Sequence, residues 1–514
     1  MTIVSIVPEI ALDEGYNYAG GLGVLEGDKF YAMARANVDY VVITLLYRNG
    51  YVSYSFDTAN NPIPQPQRQP RDFLSKLALR TRLRVFMRGE AVYVNALEYT
   101  VNRARVVFLE PWTPRWAYNL TDRVYIEQTL EDKFYKYLLL AKGAAEYIRR
   151  VIGLNNVERI DLNEAYTALL PLVLPLSPSK YRFIIHTPGP WGHPSFPAQL
   201  FEREFGYRFF EDPVILTELG LSMSSEVIVV SEKMRDVISR VIPHHMHKVR
   251  AITNGVDSVR WVDERVMKMY REGNLNADNV RYVKESMVPE LEKLLRAYKP
   301  GLSIGNRPII AWVRRVTRYK RPDFALRFIN EYGSDDVVFV LGGKAHPYDE
   351  WGLHMVKAFK EASMKLNNVV YIHDYDVSIA KQVLSKSTIL LFTPFPGWEA
   401  SGTSFMKASM NGTVTLASRD GAVPELIIDG YNGWLFGIDE RSLIDIGSDP
   451  RAQEINEYEY GEFSRKLKDI IKMYYNDKGK FYEVAVNAIK TFIDKADITV
   501  ALSKYYTNIR FKKP

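Results

Sequence analysis

Apolar and polar positions change period at short intervals along the chain. Runs rich in β-branched residues at 40–46, 183–186 and 227–230 alternate with longer helical patterns such as 130–150, and glycine or proline marks the crossings. That alternation predicts parallel sheets with helices on both faces. Residues 1–10 read as a first strand, because they lack the basic region, long apolar core and small-residue cleavage site of a signal peptide. A second series at 308–313, 337–341, 369–372, 389–392 and 413–416 predicts another doubly wound sheet. Between the two series, 262–300 is mostly charged, helix-prone and closed by Lys299-Pro300-Gly301. The expected organisation is therefore a first domain over 1–300, a second over 301–479, and a helix over 480–514 with the option of crossing back onto the first. The fold class is α/β, two doubly wound Rossmann-like domains facing a cleft at the carboxyl ends of their strands.

Composition narrows the chemistry. A hydrophobic fraction of 47% over 514 residues supplies apolar surface for two sizeable cores. The 67 basic against 61 acidic residues leave +6 on a large surface, too little for a nucleic-acid footprint. With no cysteine there are no disulfides, thiolate metal sites or cysteine nucleophiles, and a cytoplasmic location is expected. The most apolar later stretch, 168–176, is broken by Pro171 and Pro175 and is too short to span a bilayer, so no membrane partner is expected. No metal site is expected either.

Four segments carry candidate chemistry. Glu399-Ala400-Ser401-Gly402-Thr403-Ser404-Phe405-Met406-Lys407 follows a predicted strand and opens a helix. Small residues there let backbone N–H groups and the Ser401, Thr403 and Ser404 hydroxyls reach a phosphate, and Lys407, about one turn on, suits a Schiff base. A capped helix with a solvated lysine is the ordinary alternative. Gly20, Gly21 and Gly23, beside Leu22, form a loop between strand and helix that admits close approach of an anion or sugar, or simply makes a tight turn. Val313-Arg314-Arg315-Val316-Thr317-Arg318-Tyr319-Lys320-Arg321 sets several cations at a strand end, either for an anion or as a solvated basic loop. His186-Thr187-Pro188-Gly189-Pro190-Trp191-Gly192-His193 follows another strand; a histidine so placed serves a ligand or the fold. Gly342-Gly343-Lys344-Ala345-His346-Pro347 lacks the spacing and Lys-Ser/Thr pair of a P-loop.

The segment 399–407 resembles the pyridoxal-phosphate lysine segment of glycogen, starch and maltodextrin phosphorylases, Glu-Ala-Ser-Gly-Thr-(Ser/Gly)-(Gly/Asn)-Met-Lys. In related nucleotide-sugar transferases a second glutamate holds the place of Lys407. The glycine loop, Leu45-Leu46-Tyr47-Arg48-Asn49-Gly50-Tyr51, the basic segment (family pattern Arg-x-x-x-Tyr-Lys-Arg), the histidine loop and Ile252-Thr253-Asn254-Gly255-Val256-Asp257 resemble the same family in the same order. Since the glycine loop comes at the first strand-to-helix crossing, the resemblance is to the short, unregulated type. It implies a GT-B type glycosyltransferase fold and PLP-dependent retaining phosphorolysis of terminal α-1,4-linked glucose. The partners are an α-1,4-glucan or maltooligosaccharide, inorganic phosphate and α-glucose 1-phosphate; a homodimer is compatible with it.

Residue by residue, the resemblance implies that Lys407 holds pyridoxal 5′-phosphate, with Ser401, Gly402, Thr403, Gly20, Gly21 and Tyr375 around the cofactor. Arg315 and Lys320 would hold the substrate phosphate. His193, Asn254, Glu399, Leu22 and Gly23 would contact the sugar. Ala165-Tyr166 stands where the short family usually has Gly-His, Pro194 where aspartate is common, Asp257 for a histidine and Phe405 for a small residue near the expected cofactor ring. These departures, with Val423-Pro424-Glu425, keep two alternatives open: a nucleotide-sugar-dependent retaining glycosyltransferase like glycogen synthase, and a non-catalytic glucan-binding protein.

Overall fold

The computed structural model describes residues 1–209 and 211–512. Among them, the first lobe carries a nine-stranded sheet. Its order is Val249–Ala251, Glu226–Val229, Tyr181–Ile185, Val157–Asn163, Thr2–Ile6, Tyr40–Leu45, Ala104–Thr113, Glu90–Val101 and Ala78–Met87. The first seven pair parallel and the last two are an antiparallel extension. The second lobe orders its strands Val369–Ile372, Val338–Gly342, Ile309–Val313, Ile389–Phe392, Val414–Ser418 and Trp434–Phe436, all parallel. Most of these short strands are buried along their whole length, as a sheet covered on both faces requires.

Both parallel sheets grow outward from their first strand in two directions. The order therefore reverses beside Thr2–Ile6 in one lobe and beside Ile309–Val313 in the other. At such a reversal neighbouring connections leave on opposite faces and open a crevice at the carboxyl ends. The residues that emerge there are Glu9 and Glu164 in the first lobe, and Arg314, Arg315 and Glu399 in the second.

The segment 262–300, expected to close the first lobe, packs into the second. Val266, Met287, Leu291 and Leu295 are fully buried in the core that also contains Trp312 and Phe392. The charge of Ala277–Leu295 describes its outer face, while its apolar stripe lies on Lys478–Ala496 and Val377–Lys386. The chain thus enters the second lobe around Gly255–Val262 rather than at 300. The return is at Asp497: Lys478–Ala496 lies on the second lobe and Ile498–Tyr505 on Gly21–Arg35 of the first. Residues 513 and 514 of the expected terminal helix, like Phe210, lie outside the described residues.

A buried ion pair docks this tail. Arg182 Nε and Nη2 each donate to Asp161 at 2.8 Å, Arg182 Nη1 donates to the Tyr505 carbonyl at 2.8 Å, and Tyr506 OH donates to Asp161. Burial alone would raise the Asp161 pKa, but Arg182 outweighs it and holds the carboxyl below its ordinary value. Asp161→Asn leaves Arg182 buried without its counter-charge and is expected to cost about 3–5 kcal/mol, read as a lowered denaturation midpoint. The sign with pH follows. The pair's contribution is present above the ordinary aspartate range and is lost as pH falls through the depressed folded value, so the wild type and the variant should converge in strong acid.

Candidate active site

The two crevices face one another and enclose a cavity of about 510 Å³. On the first-lobe side Glu9 organises the glycine loop. Its Oε2 accepts the N–H groups of Ala19 (2.5 Å) and Gly20 (3.1 Å), and its Oε1 accepts Tyr125 OH at 3.1 Å. Burial raises the Glu9 pKa against these bonds. Gly20, Gly21 and Leu22 line the cavity. Among the described residues no side chain caps the helix Gly21–Arg35, so its first N–H groups stay available for an anion. Gly23 is a correction to the expected set. Among the described residues it is not part of the wall, and a Cβ there would lie 2.7 Å from Tyr18 Cβ and 2.9 Å from Glu9 Oε2. It is glycine for packing.

On the second-lobe side Glu399 Oε2 accepts from Arg314 Nη2 at 2.6 Å and Lys320 Nζ at 3.2 Å. Burial would raise the Glu399 pKa, but Lys320 and Arg314 hold it below the usual carboxylate range. Burial, seconded by Arg314, pushes the Lys320 amine down. Among the described residues Arg314 Nε and Nη1 and Ser401 Oγ are buried without hydrogen-bond partners. A cluster of cations with spare donors around one carboxylate is suited to an anionic ligand. Arg315 lies on the same wall; a Cβ on Gly20 would sit 4.0 Å from its Nη1. Lys344, lowered to about 8 by burial, adds a further cation.

Lys407 sits on the short helix Ser404–Ser409. Its amine is 3.2 Å from Thr403 Oγ1 and 4.1 Å from the centre of the Trp261 ring. Burial pushes its pKa down from 10.5 to about 8, with Asp28 opposing. Gly402 turns the chain with φ +75°, and a Cβ there would fall 2.4 Å from Phe392 Cζ. Ser401, Gly402, Thr403, Lys407, Tyr375 and Asn254 all reach the cavity.

The expected sugar contact of His193 and the expected bulk of Phe405 beside the cofactor ring are corrected, and Asp257 lies off the wall. Among the described residues the wall contains His186 but not His193, whose Nδ1 is 2.8 Å from Thr217 Oγ1. Burial pushes His186 down to about 3, and its Nε2 meets Asn163 Oδ1 at 3.1 Å. Phe405 does not crowd the cavity; it points into the core, its ring 5.0 Å from Phe392 and 5.8 Å from Phe492. Asp257 is buried away from the wall, bonded to Arg35 Nη2 at 2.6 Å and pushed up to about 6 by burial. Of the other departures, Pro194 accepts Leu216 N–H through its carbonyl, while Tyr166 lines the cavity and stacks on Tyr137 at 4.2 Å. Glu425 is spent between the lobes, accepting Glu232 N–H at 2.9 Å and the Thr253 hydroxyl. Arg314, Glu9, Glu164, Lys344 and Tyr125 were not singled out from the sequence. Arg314 and Lys344 stand inside segments already marked and Glu164 directly precedes Ala165-Tyr166, and only the fold shows that they face the cavity.

Among the described residues there is no candidate metal cluster and no helix long and apolar enough to cross a membrane. Residues 277–512 match the family model for carbohydrate phosphorylases. Over 92% of its length the chain is 25% identical to a maltodextrin phosphorylase of Thermococcus litoralis, spanning 66% of that protein. Over 99% it is 24% identical to a glycogen phosphorylase of Aquifex aeolicus, spanning 86% of it. A glycogen synthase of Chlamydia felis is 25% identical over 60% of the chain and 67% of its own length.

Proposed function

We propose that the chain, which is similar to carbohydrate phosphorylases over residues 277–512 and to maltodextrin and glycogen phosphorylases over most of its length, is an α-glucan phosphorylase: it transfers the terminal α-1,4-linked glucose of a glucan to inorganic phosphate, releasing α-glucose 1-phosphate with the aid of pyridoxal 5′-phosphate. The observation that carries the reading is the meeting of Lys407 with the Arg314–Glu399–Lys320 cluster on one cavity wall. The residues present fit the cofactor. A buried amine whose pKa is lowered from 10.5 to about 8 holds far more of its uncharged, nucleophilic form near neutrality than a free lysine, as carbonyl capture needs, and Trp261 offers an aromatic wall. The unpartnered Ser401 hydroxyl and Arg314 nitrogens supply donors for a phosphate. When bound, the group supplies a phosphate that assists proton transfer beside the substrate.

The chain's own residues position the reactants. Arg315, Lys320 and the N-terminus of Gly21–Arg35 hold inorganic phosphate; Asn254 and Glu399 lie on the wall that receives the sugar, and Tyr375 stands toward the cofactor. Phosphate gives its proton to the glycosidic oxygen, the C1–O bond breaks through an oxocarbenium-like state, and a phosphate oxygen bonds C1 on the same face. Positioning and fixed charge do most of the work, and a pair of protein carboxylates is not required.

The test is borohydride reduction of the purified protein with mass mapping, alongside maltoheptaose in orthophosphate buffer. A reduced cofactor adduct on Lys407 and release of glucose 1-phosphate are expected; an unmodified Lys407 and an untouched glucan overturn the reading. A nucleotide-sugar donor is the second reading, favoured by the similarity to the Chlamydia felis glycogen synthase. Lys407 opposes it, and so does the use of Glu425 between the lobes. Glucosyl transfer from a panel of nucleotide sugars without pyridoxal phosphate would establish it.

A further inference from the structure

The helix Glu232–Ser239 follows the strand Glu226–Val229 of the first lobe, yet its first turn faces the second. Lys233 there is only 3% exposed. Its Nζ, which carries three donors, meets three oxygens: the Arg419 carbonyl, Asp420 Oδ1 at 3.3 Å and Asp439 Oδ1 at 3.1 Å. All three lie in the second lobe. Ser231 caps the helix by accepting Met234 N–H at 3.0 Å, and donates its hydroxyl to the Ala400 carbonyl at 2.5 Å. Taking an ammonium out of water is costly. Docking alone does not call for it, since the half-exposed pair Arg441–Asp236 joins the same two elements. The reason for burying Lys233 lies in what it holds.

Asp420 is fully buried, and its carboxylate accepts three successive backbone N–H groups: Gly397 at 2.8 Å, Trp398 at 3.1 Å and Glu399 at 2.7 Å. The turn that carries it presses on the same segment. Ala422 N–H donates to Ser401 O at 2.9 Å, and a Cβ on Gly421, at φ +60°, would lie 2.4 Å from that oxygen. The backbone 397–401 is therefore held by Asp420 at its first three residues, by Ser231 at Ala400 and by Ala422 at Ser401. It presents the Glu399 carboxylate to Arg314 and Lys320, and beside it the Ser401 hydroxyl. Among the described residues Ser231, Lys233 and Asp420 stand behind the cavity wall rather than on it, and the ion-pair partner of Asp420 is Lys233. A buried carboxylate that gathers three amides keeps its charge through a cation within reach, and here that cation comes from the opposite lobe.

We propose that Lys233 and Ser231 are positioning residues for Glu399: by completing Asp420 and tying Ala400, they set the loop 397–401 of the second lobe in the geometry the reaction uses. The role in turnover rests on the phosphorylase reading; the hold on the loop does not. Hydrogen–deuterium exchange of the full-length protein, read by mass spectrometry, measures that hold directly. In Lys233→Met, neutral and of similar length, the amides of 397–401 should exchange at least about tenfold faster than in the wild type, while the strand Ile309–Val313 keeps its protection. Ser231→Ala should loosen the same segment by about threefold, and Lys233→Arg, which returns the charge, should restore most of the protection. Turnover supplies a second measurement. Lys233→Met should lower kcat/KM for maltoheptaose in orthophosphate at least about tenfold. In a Glu399→Gln background the same substitution should lower it less than about twofold, because the side chain it would misplace is already disabled. Wild-type exchange over 397–401 in both Lys233→Met and Ser231→Ala, or equal losses of turnover in the two backgrounds, overturns the proposal and leaves the pair as lobe docking. Should Lys233→Met not fold, Ser231→Ala carries both measurements. A wild type that releases no glucose 1-phosphate fails the phosphorylase reading alone, and the exchange rates still decide what holds the loop.

Discussion

Lys407→Ala is expected to remove the borohydride-trapped adduct and the release of glucose 1-phosphate together, while the protein stays folded. The expectation of an intact fold comes from the cost of the native amine. Keeping it charged at neutral pH, with its pKa lowered from 10.5 to about 8 by burial, costs the folded chain about 3 kcal/mol. Alanine removes that cost and gives up the packing of the lysine stem and the contact with Trp261, losses of similar size. The two nearly cancel, so the melting midpoint should move by only a few degrees. The sign with pH gives a second check. Between about 8 and 10.5 the unfolded chain holds more protons than the folded one, so the cofactor-free wild type should gain stability relative to Lys407→Ala as pH rises through that window. Retained glucose 1-phosphate release in the variant would remove Lys407 from the reaction. Loss of activity with loss of the fold at every pH would make it structural.

The α/β alternation was readable because covered strands are short apolar runs and the helices between them repeat every three to four residues. The lobe boundary was not, because charge along 262–300 reports only the solvent face of its helices. The stripe of Val266, Val280, Met287, Leu291 and Leu295 fits one particular surface that exists only after the second sheet has formed. The antiparallel extension did carry a signal that went unread: in Ala78–Met87, Leu83, Val85 and Met87 point inward and Arg80, Arg82 and Arg84 outward. Within the site, the glycine, basic and lysine segments declared themselves through residue types with few other uses. Which histidine reaches the ligand did not. The loop after Tyr181–Ile185 is bent at Gly189, where a Cβ would lie 2.8 Å from the Trp191 ring, and at Gly192, where it would lie 2.5 Å from Thr187 Cβ. That path leaves His186 on the wall and carries His193 to Thr217. The inward face of Phe405 is likewise set by Phe392 and Phe492, far from it in sequence.

Glu399→Gln should lower turnover by about 10²–10³-fold, the scale for losing a fixed charge or donor at a reacting centre, and should make orthophosphate a stronger stabiliser than it is for the wild type. In the native site one carboxylate oxygen balances Arg314 at 2.6 Å and Lys320 at 3.2 Å. Glutamine keeps the shape and deletes the charge, leaving two buried cations uncompensated, a loss of about 3–5 kcal/mol for a fully buried pair and less where cavity solvent screens it. Glu399 is also what opposes the effect of burial on Lys320. Without it the Lys320 pKa falls further, so the variant should take up more protons on binding phosphate than the wild type, measurable by calorimetry in buffers of different ionisation enthalpy. An added anion then supplies the missing negative charge, whereas in the wild type it competes with Glu399 for the same amine. Equal shifts of the melting midpoint by phosphate in both proteins, with equal proton uptake, would show that the Arg314–Glu399–Lys320 cluster is internal bracing and that the substrate anion is bound elsewhere.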